Sequence, residues 1–539
     1  MLISITELGI SHIPYLNSSL FEVHPDENSG IKISNLVDSI TIDYYAKTVV
    51  KDSNKQRKIG KVSTLPYLLA FLDAFDFAND SDEELVSQSK SLISASVLGL
   101  IFEKINGYKD GSFYTPSFIT MYMARETITK TIIDKFNVVK GWQCKTLVDL
   151  HNKDLEITEA NELINSIKIC DPAVGSGHFL VSALNEILRI KSELGVLVSE
   201  DGKRIKDYSL SIENDELIIK SSEGELFEYK KNHAEKNRIQ KTLFKEKQLL
   251  IENCLFGVDI NPNSVNICRL RLWIELLKNA YYKADGQLDT LPNIDINIKC
   301  GNSLISRFGL TDDLNSKTIK AEIQDYKQKV TQYKENIGSK HDVLQSIDAI
   351  KTKFQEKLKS GHTVTQEFNK TLSEYVRKYD YESLNKELAF IAFNLNLPRA
   401  THDMFGKPVD GKAKIKKRTE VEAALTKAKE IESGAIYQNA FEWRFEFPEV
   451  LNEQGNFVGF DVVIGNPPYI KEDKNKSAFD GLHEKPCYQG KTDIWHLFTD
   501  QALDVIKPNG IVSFIANRRI ARDEQRWFKL SPDFLQPEP

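Results

Sequence analysis

A four-residue segment, Asn466-Pro467-Pro468-Tyr469, has the most specific chemistry in this sequence. It follows the apolar run 460–465, which ends in glycine, so the pattern predicts a buried strand that stops abruptly. The two prolines fix the backbone and remove two N–H donors, which leaves a stiff loop with outward carbonyls. The amide oxygen of Asn466 and the carbonyl of Pro467 could accept the two hydrogens of a planar amino group, while the ring of Tyr469 offers a flat face. A proline-rich turn without chemistry is the alternative.

A glycine-rich segment, 171–179, follows a second predicted strand at Ile167–Cys170. Glycines at a strand-to-helix turn let a ligand approach the backbone at the carboxyl end of a central strand. The segment is neither G-x-G-x-x-G nor a P-loop, which disfavours a phosphate ligand. Asp171, which opens the segment, instead suits a ligand that carries an ammonium group. A purely structural turn is the alternative here.

Two further strand ends have polar side chains. Asp259 ends the strand predicted at Cys254–Val258, where a carboxylate could accept two hydrogen bonds from ribose hydroxyls. The alternative for the nearby Asn261 is a structural role as the N-cap of the helix predicted from Ser264. Asn302 follows the strand predicted at Ile296–Cys300 and has an amide suited to reading an adenine edge. Together the three strand ends predict a pocket for a nucleoside that carries an amine.

The elements that must position these residues alternate along the chain from about residue 167. Short apolar runs alternate with amphipathic helices, which predicts an α/β fold with a parallel sheet. The remaining strands are predicted at Phe460–Ile464 and Ile511–Ile515, and two of the helices at Phe179–Leu194 and Ser264–Asn279. Residues 1–110 lack a glycine-rich loop, and helical spacing at 65–75 and 83–105 predicts a helical N-terminal region.

Two insertions interrupt the alternation. Residues 198–248 predict a hairpin around 210–227 and then a lysine-rich helix. Residues 310–440 include the stretch 317–359, whose Glu, Lys and Gln content predicts a solvated helix pair or short coiled coil. The basic run 412–418 is typical of a solvated face, with contact to phosphate as the alternative.

The composition restricts the class of protein. The chain has 539 residues, a formal net charge of −6 and a pI of about 6.0, so contacts with nucleic acid must come from local patches. Its six cysteines are far apart and form no C-x-x-C pair, which favours reduced thiols over disulfides or a zinc site. The first residues lack the features of a signal peptide, and no apolar run approaches a membrane span. We therefore expect a soluble cytoplasmic protein.

In this order, the segments resemble the amino-methyltransferase family of S-adenosylmethionine-dependent DNA methyltransferases, specifically the adenine-N6 enzymes of restriction–modification systems. The segment Gly111–Pro116 matches the part of the family that precedes the glycine loop and helps to hold the methionine end of the cofactor. Cofactor motifs before the catalytic one correspond to the gamma-type arrangement. The stretch 493–510 resembles the family's next helix and strand, and 13–22 resembles long enzymes that fuse nuclease and methyltransferase.

The resemblance implies a Rossmann-like class I methyltransferase domain at 111–519, with both insertions inside it. It implies a catalytic set of Asn466, Pro467, Pro468 and Tyr469. It also implies that S-adenosyl-L-methionine is bound by Tyr114, Thr115, Asp171, Ala173, Gly175, Gly177, Phe179, Asp259, Ile260, Asn302 and Ser303.

The implied reaction is methyl transfer to the N6 amino group of adenine in double-stranded DNA. The adenine must leave the duplex, and its ring would stack on Tyr469. Asn466 and the carbonyl of Pro467 would accept the two N6 hydrogens. Because the proton leaves after attack, neither a tuned general base nor a metal is expected.

The sequence also departs from the family. Residues 520–539 lack a strand pattern, and the start of the chain resembles the middle of a longer family member. We therefore expect a chain truncated at both ends, without the target recognition domain. Residues 1–110 contain no Glu-x-Lys, so we expect no nuclease activity from this chain alone. The alternatives are a remnant, or a cofactor-binding subunit that needs a separate specificity or restriction subunit. A protein-glutamine methyltransferase is also compatible with Asn466–Tyr469, but the segment 111–116, the insertions and the length disfavour it.

Overall fold

The computed structural model places the elements as follows. It describes residues 41–76, 91–92, 115–205, 207–213, 215–230, 232–283, 297–306, 309–310, 317–334, 340–359, 363–379, 384–395, 397, 414–422, 424–425, 439–452, 455–483, 485–488 and 490–516. The strands of these residues are β1 (Thr41–Asp43), β2 (Lys61–Ser63), β3 (Phe75–Asp76), β4 (Ser91–Leu92), β5 (Ile169–Asp171), β6 (Tyr208–Glu213), β7 (Glu216–Ser221), β8 (Leu255–Asp259), β9 (Ile298–Cys300), β10 (Phe460–Gly465) and β11 (Ile506–Phe514).

The described residues also form α-helices. They are α1 (Thr64–Asp73), α2 (Ser117–Lys140), α3 (Leu147–His151), α4 (Ile157–Asn165), α5 (His178–Glu193), α6 (Ala234–Cys254), α7 (Pro262–Leu277), α8 (Lys317–Lys334), α9 (Lys340–Lys359), α10 (Thr363–Tyr379), α11 (Lys386–Asn394), α12 (414–422), α13 (Trp443–Glu446) and α14 (Ile494–Val505). One-turn 3₁₀ helices occupy Pro448–Val450 and Lys476–Phe479.

Five parallel strands form the central sheet, in the order β11-β10-β5-β8-β9. Ile169 of β5 pairs with Leu255 of β8, while Val463 of β10 pairs with Cys170. Every residue of β5 is buried, as expected for a strand with helices on both faces. The parallel sheet between helices confirms the predicted Rossmann-like α/β fold.

The last strand begins earlier than predicted. β11 starts at Ile506 rather than at Ile511. Pro508 and Gly510 normally end a strand, but here they lie beside a register shift in the pairing of β10 with β11. Asn509 adopts a left-handed φ of 64°, so the irregularity bends the strand without ending it.

The N-terminal region differs from the helical prediction. β1 and β2 form an antiparallel pair and β3 pairs with β4, so the described part mixes strands with the single helix α1. That helix confirms the prediction at 65–75. Most of the predicted helix 83–105 lies outside the described residues, and Ser91–Leu92 within it are strand.

Both insertions contain the predicted elements. β6 and β7 form the hairpin and α6 the lysine-rich helix. The pair α8 and α9 has one buried face, which packs against Phe445 and Leu451, so it is only partly solvated. The basic run reaches into α12, where Lys417 and Arg418 form ion pairs with glutamates of the same helix. Among the described helices, none combines the length and apolarity that crossing a membrane requires.

Candidate active site

A cavity of about 320 Å³ opens at the carboxyl ends of β5, β8, β9 and β10. Parallel strands place their carboxyl ends on one sheet edge, so residues far apart in sequence meet there. The cavity is lined by these residues of the predicted site: Thr115, Asp171, Ala173, Gly175, Phe179, Asp259, Ile260, Asn302, Ser303, Asn466 and Pro468. Gly177, Pro467 and Tyr469 lie on the same loops beside it. Tyr114 lies outside the described residues.

Asp171 is a buried acid of the cavity wall with a strongly shifted pKa. It is 1% exposed, and its Oδ1 accepts a hydrogen bond from the backbone N–H of Ala173 at 3.0 Å. Burial, with a smaller contribution from the charge of Asp259, raises its pKa from 3.8 to about 8. At neutral pH this carboxyl is therefore mostly protonated. A cation placed against it would favour the ionised form.

The glycine loop joins the acids at the ends of β5 and β8. The N–H of Gly175 donates to Oδ2 of Asp259 at 2.9 Å. Gly177 has a left-handed φ of 81°, and a Cβ there would lie 2.6 Å from Sγ of Cys268, so only glycine fits. Helix α5 begins at His178, whose pKa is lowered to about 2 by burial and by the charge of Arg271. His178 is therefore neutral in the cavity wall.

Asp259 uses both carboxylate oxygens to hold backbone. Besides the bond from Gly175, its Oδ1 accepts the N–H of Asn261 at 2.8 Å. Each oxygen has further lone-pair capacity, so ribose hydroxyls could still donate to it. Asn261 caps α7 by accepting the N–H of Asn263 at 2.9 Å, which confirms the N-cap alternative for that residue.

The end of β9 is fixed in a way that the sequence did not show. Oδ1 of Asn302 accepts the N–H of Leu304 at 3.1 Å, so its amide group has the donor end left to face a ligand. The hydroxyl of Ser303 donates to the carbonyl of Pro172 at 2.8 Å, which ties β9 to the glycine loop. The indole of Trp443 donates to the carbonyl of Ser303 at 2.9 Å. Ser303 thus positions the loop through its side chain.

The Asn466–Tyr469 segment leaves β10 at the centre of this edge. The side-chain amide nitrogen of Asn466 donates to the hydroxyl of Thr115 at 3.0 Å. Pro467 is buried, whereas Pro468 lines the cavity. The hydroxyl of Tyr469 donates to the carbonyl of Ile515 at 2.8 Å, which anchors the half-buried ring beside the end of β11.

Part of the cavity wall was not predicted. Ile470, Asn475, Ser477, Ala478 and Asp480, from the loop after Tyr469, line it together with Ile494 and Phe498 of α14. Phe479 and Leu482 are fully buried against α14 and hold this loop in place. The resemblance over 493–498 pointed to the helix, but the loop has no periodicity or motif that could have marked it.

Comparison with known proteins agrees with this geometry. The family model described as Eco57I restriction-modification methylase matches residues 253–531, just over half of the chain. The chain belongs to the Eco57I restriction-modification methylase family. This confirms the predicted restriction–modification methyltransferase family. The match includes β8 to β11 and the Asn466–Tyr469 segment, and it continues past residue 519, where we expected the resemblance to end.

The chain has two other similarities to known sequences. Residues 6–93 match a domain family of unknown function, DUF7814. A putative type II restriction enzyme and methyltransferase from Methanocaldococcus jannaschii is 28% identical over 496 residues, which cover 85% of this chain and 34% of that protein. The chain thus spans about a third of the length of the curated relative that it matches.

Proposed function

We propose that the chain transfers a methyl group from S-adenosyl-L-methionine to the N6 amino group of adenine in DNA, within a restriction–modification system. One observation carries the proposal: a single cavity joins the acids at the ends of β5 and β8 to the Asn466–Tyr469 segment at the end of β10. A nucleoside-type cofactor and a planar amino group would therefore meet in one space. The 111–519 domain is proposed as the unit that performs the reaction.

The cofactor side of the proposal rests on Asp171, Asp259 and Asn302. The buried carboxyl of Asp171 gains its charge most easily beside an ammonium group, such as that of the methionine part of the cofactor. Asp259 would accept ribose hydroxyls, and the donor end of Asn302 would face an acceptor on the cofactor adenine. When bound, the cofactor supplies an electrophilic methyl group on a sulfonium.

The target side rests on the Asn466–Tyr469 segment. An adenine inside a duplex cannot present its amino nitrogen, so it would be flipped out at a cost of about a few kcal/mol. Stacking on Tyr469 would stabilise the flipped base by roughly 1–3 kcal/mol. Asn466 Oδ1 and the carbonyl of Pro467 would accept the two N6 hydrogens, which directs the nitrogen lone pair away from the ring. The residues thus act by positioning and electrostatics.

The test uses the purified chain, radiolabelled cofactor and unmethylated duplex DNA of mixed sequence. Mass spectrometry of the digested DNA should detect N6-methyladenine. Asn466→Ala should abolish it while cofactor affinity stays within about threefold, because the substitution removes one acceptor outside the cofactor contacts. Asn232→Ala, in an exposed turn, is the matched control and should leave the yield unchanged.

The other outcomes separate the alternatives. Failure to bind the cofactor would contradict the cavity assignment. N4-methylcytosine as the product would contradict the adenine assignment. Cofactor binding with methylation only after a second subunit is added would favour a chain that depends on a partner for DNA recognition. Methylation of a glutamine side chain in place of DNA would favour the protein-glutamine reading.

A further inference from the structure

The hydroxyl of Thr115 makes a contact that its expected role at the cofactor does not require. Nδ2 of Asn466 donates to Thr115 Oγ1 at 3.0 Å, which joins the start of α2 to the end of β10. Thr115 is 6% exposed and lines the same cavity as Asn466. The contact therefore lies inside the site, where water competes poorly for either group.

This contact matters because the two ends of an amide are chemically different. The oxygen accepts hydrogen bonds, whereas the nitrogen donates two. Oδ1 of Asn466 must face the target amino group in order to accept a hydrogen bond from it. A rotation of the side-chain amide by 180° would instead point the Nδ2 donors at an amino group that is itself a donor. A neighbouring group that accepts a hydrogen bond from Nδ2 therefore fixes Oδ1 on the opposite side of the amide.

We propose that Thr115 is a positioning residue: its hydroxyl holds Nδ2 of Asn466, so that Oδ1 is directed toward the amino group of the target base. This rests on the proposed function, because only a target with an amino group requires that orientation. A hydroxyl can accept one hydrogen bond and donate another. Thr115 can therefore orient Asn466 while its own proton is donated to a cofactor oxygen, which would couple the two halves of the cavity.

The start of α2 is held firmly enough for such a role. The hydroxyl of Ser182 on α5 is 2.9 Å from that of Thr120 and donates to Oδ1 of Asp215 at 2.7 Å. The hydroxyl of Thr120 donates to the carbonyl of Ser117 at 2.9 Å, in the first turn of α2. The tip of the β6–β7 hairpin thus anchors the turn that follows Thr115.

The first experiment compares Thr115→Val with Thr115→Ser. Valine keeps the volume and removes the hydroxyl, whereas serine keeps the hydroxyl. Single-turnover methyl transfer at saturating cofactor should fall about tenfold in Thr115→Val and recover to within about threefold of wild type in Thr115→Ser. Saturating cofactor separates this effect from the lost hydrogen bond to the cofactor. Thr127→Val is the matched control: Thr127 is buried like Thr115, but it lies within α2 and its hydroxyl donates to the carbonyl of Met123 on the same helix. It should leave the transfer rate unchanged.

A second experiment removes the need for orientation. In Asn466→Asp the two oxygens are equivalent, so rotation of the group changes nothing. If Thr115 acts by orienting the amide, Thr115→Val should slow Asn466→Asp less than twofold, against about tenfold in the Asn466 background. Equal factors in both backgrounds would overturn the proposal.

The outcomes distinguish this proposal from the one on which it rests. A Thr115→Val chain that loses cofactor affinity while its transfer rate at saturating cofactor is unchanged would overturn the positioning role and leave the methyltransferase function intact. A wild-type chain that binds cofactor but leaves adenine unmodified, with every partner supplied, would overturn both together.

Discussion

The two halves of the cavity hold their polar groups by different means. In the half proposed to bind the cofactor (the cofactor half), formed by the ends of β5, β8 and β9, the groups are two carboxyls beside backbone N–H donors. In the clamp half, at the end of β10, the groups are a neutral amide, a proline carbonyl and a phenol. The first half depends on charge, and the second depends on geometry.

This difference implies that the two halves respond differently to pH. Because its pKa is raised to about 8, Asp171 in the cofactor half titrates near physiological pH. The amide of Asn466 does not titrate. We therefore expect pH to change cofactor binding far more than the methyl-transfer step at saturating cofactor.

The hydrogen bond from Asn466 to Thr115 joins the two halves, and a second contact lies where β10 ends beside β5. A Cβ built on Gly465 would lie 2.6 Å from Oδ1 of Asp171, so the residue before the clamp must be small. Asp171 thus packs directly on the backbone that leads into Asn466. Disturbing this contact should affect both halves.

The largest effect that we expect is the pH dependence of cofactor binding. Below its pKa of about 8 the Asp171 carboxyl must lose a proton before it can pair with an ammonium group. Affinity for S-adenosylhomocysteine, a stable probe with the same ammonium, should therefore rise by roughly 50-fold from pH 6 to pH 8 and level off above the pKa. Calorimetric titrations across this range measure it.

Asp171→Asn is the matched control for this prediction. Its affinity should vary much less with pH, because the asparagine side chain does not titrate. The folded pKa of Asp171 exceeds the unfolded value of 3.8, so its contribution to stability is lost as pH rises from about 4 to 8. Without added cofactor, Asp171→Asn should consequently have a melting temperature a few degrees higher than that of wild type at pH 8. An equally steep affinity profile in the variant would contradict the assignment to Asp171.

A smaller effect is expected for Gly465→Ala. The added methyl collides with the buried Asp171 carboxyl, and overpacking of this kind costs about 1–3 kcal/mol. Cofactor affinity and methyl transfer should both fall, by about tenfold. In an Asp171→Ala background, where the colliding carboxyl is gone, the same substitution should change the melting temperature little. Additive losses in the double variant would show that the two residues are not coupled.

The smallest effect is expected for Tyr469→Phe. It removes the hydrogen bond to the carbonyl of Ile515, worth about 1 kcal/mol, but keeps the aromatic face. Single-turnover transfer should slow by less than about fivefold, whereas Tyr469→Ala should slow it more because stacking is lost. If Phe and Ala variants were equally slow, the hydroxyl rather than the ring would be the important group.

Much of the fold could be predicted because parallel strands buried on both faces form short apolar runs. The strands that end at Asp171 and Asp259 were located within one or two residues, and so were α5 and α7. The predicted start of β11 was wrong because proline and glycine occur both at strand ends and in bulges, and here Pro508 and Gly510 lie beside a bulge. The N-terminal strands were missed because strands of two or three residues have too few positions to show a period of two.

The candidate site divides in the same way. The positions of Asp171, Asp259, Asn302 and Asn466 at strand ends followed from the sequence, because a parallel sheet brings such ends to one edge. The binding and catalytic roles of these residues stay predictions. The loop that adds Asn475 and Asp480 to the cavity wall was not predicted, because its place depends on the packing of Phe479 and Leu482 against α14.

The sequence by itself determined the order of the elements, the residue types at the strand ends and the family of the chain, since these depend on local pattern and motif. Only the tertiary structure decided how those residues are held. The bonds from Asn466 to Thr115 and from Ser303 to Pro172 join residues more than 100 positions apart. The raised pKa of Asp171 likewise comes from burial by the surrounding elements. Burial and contact distance are properties of the packed chain, and no local pattern encodes them.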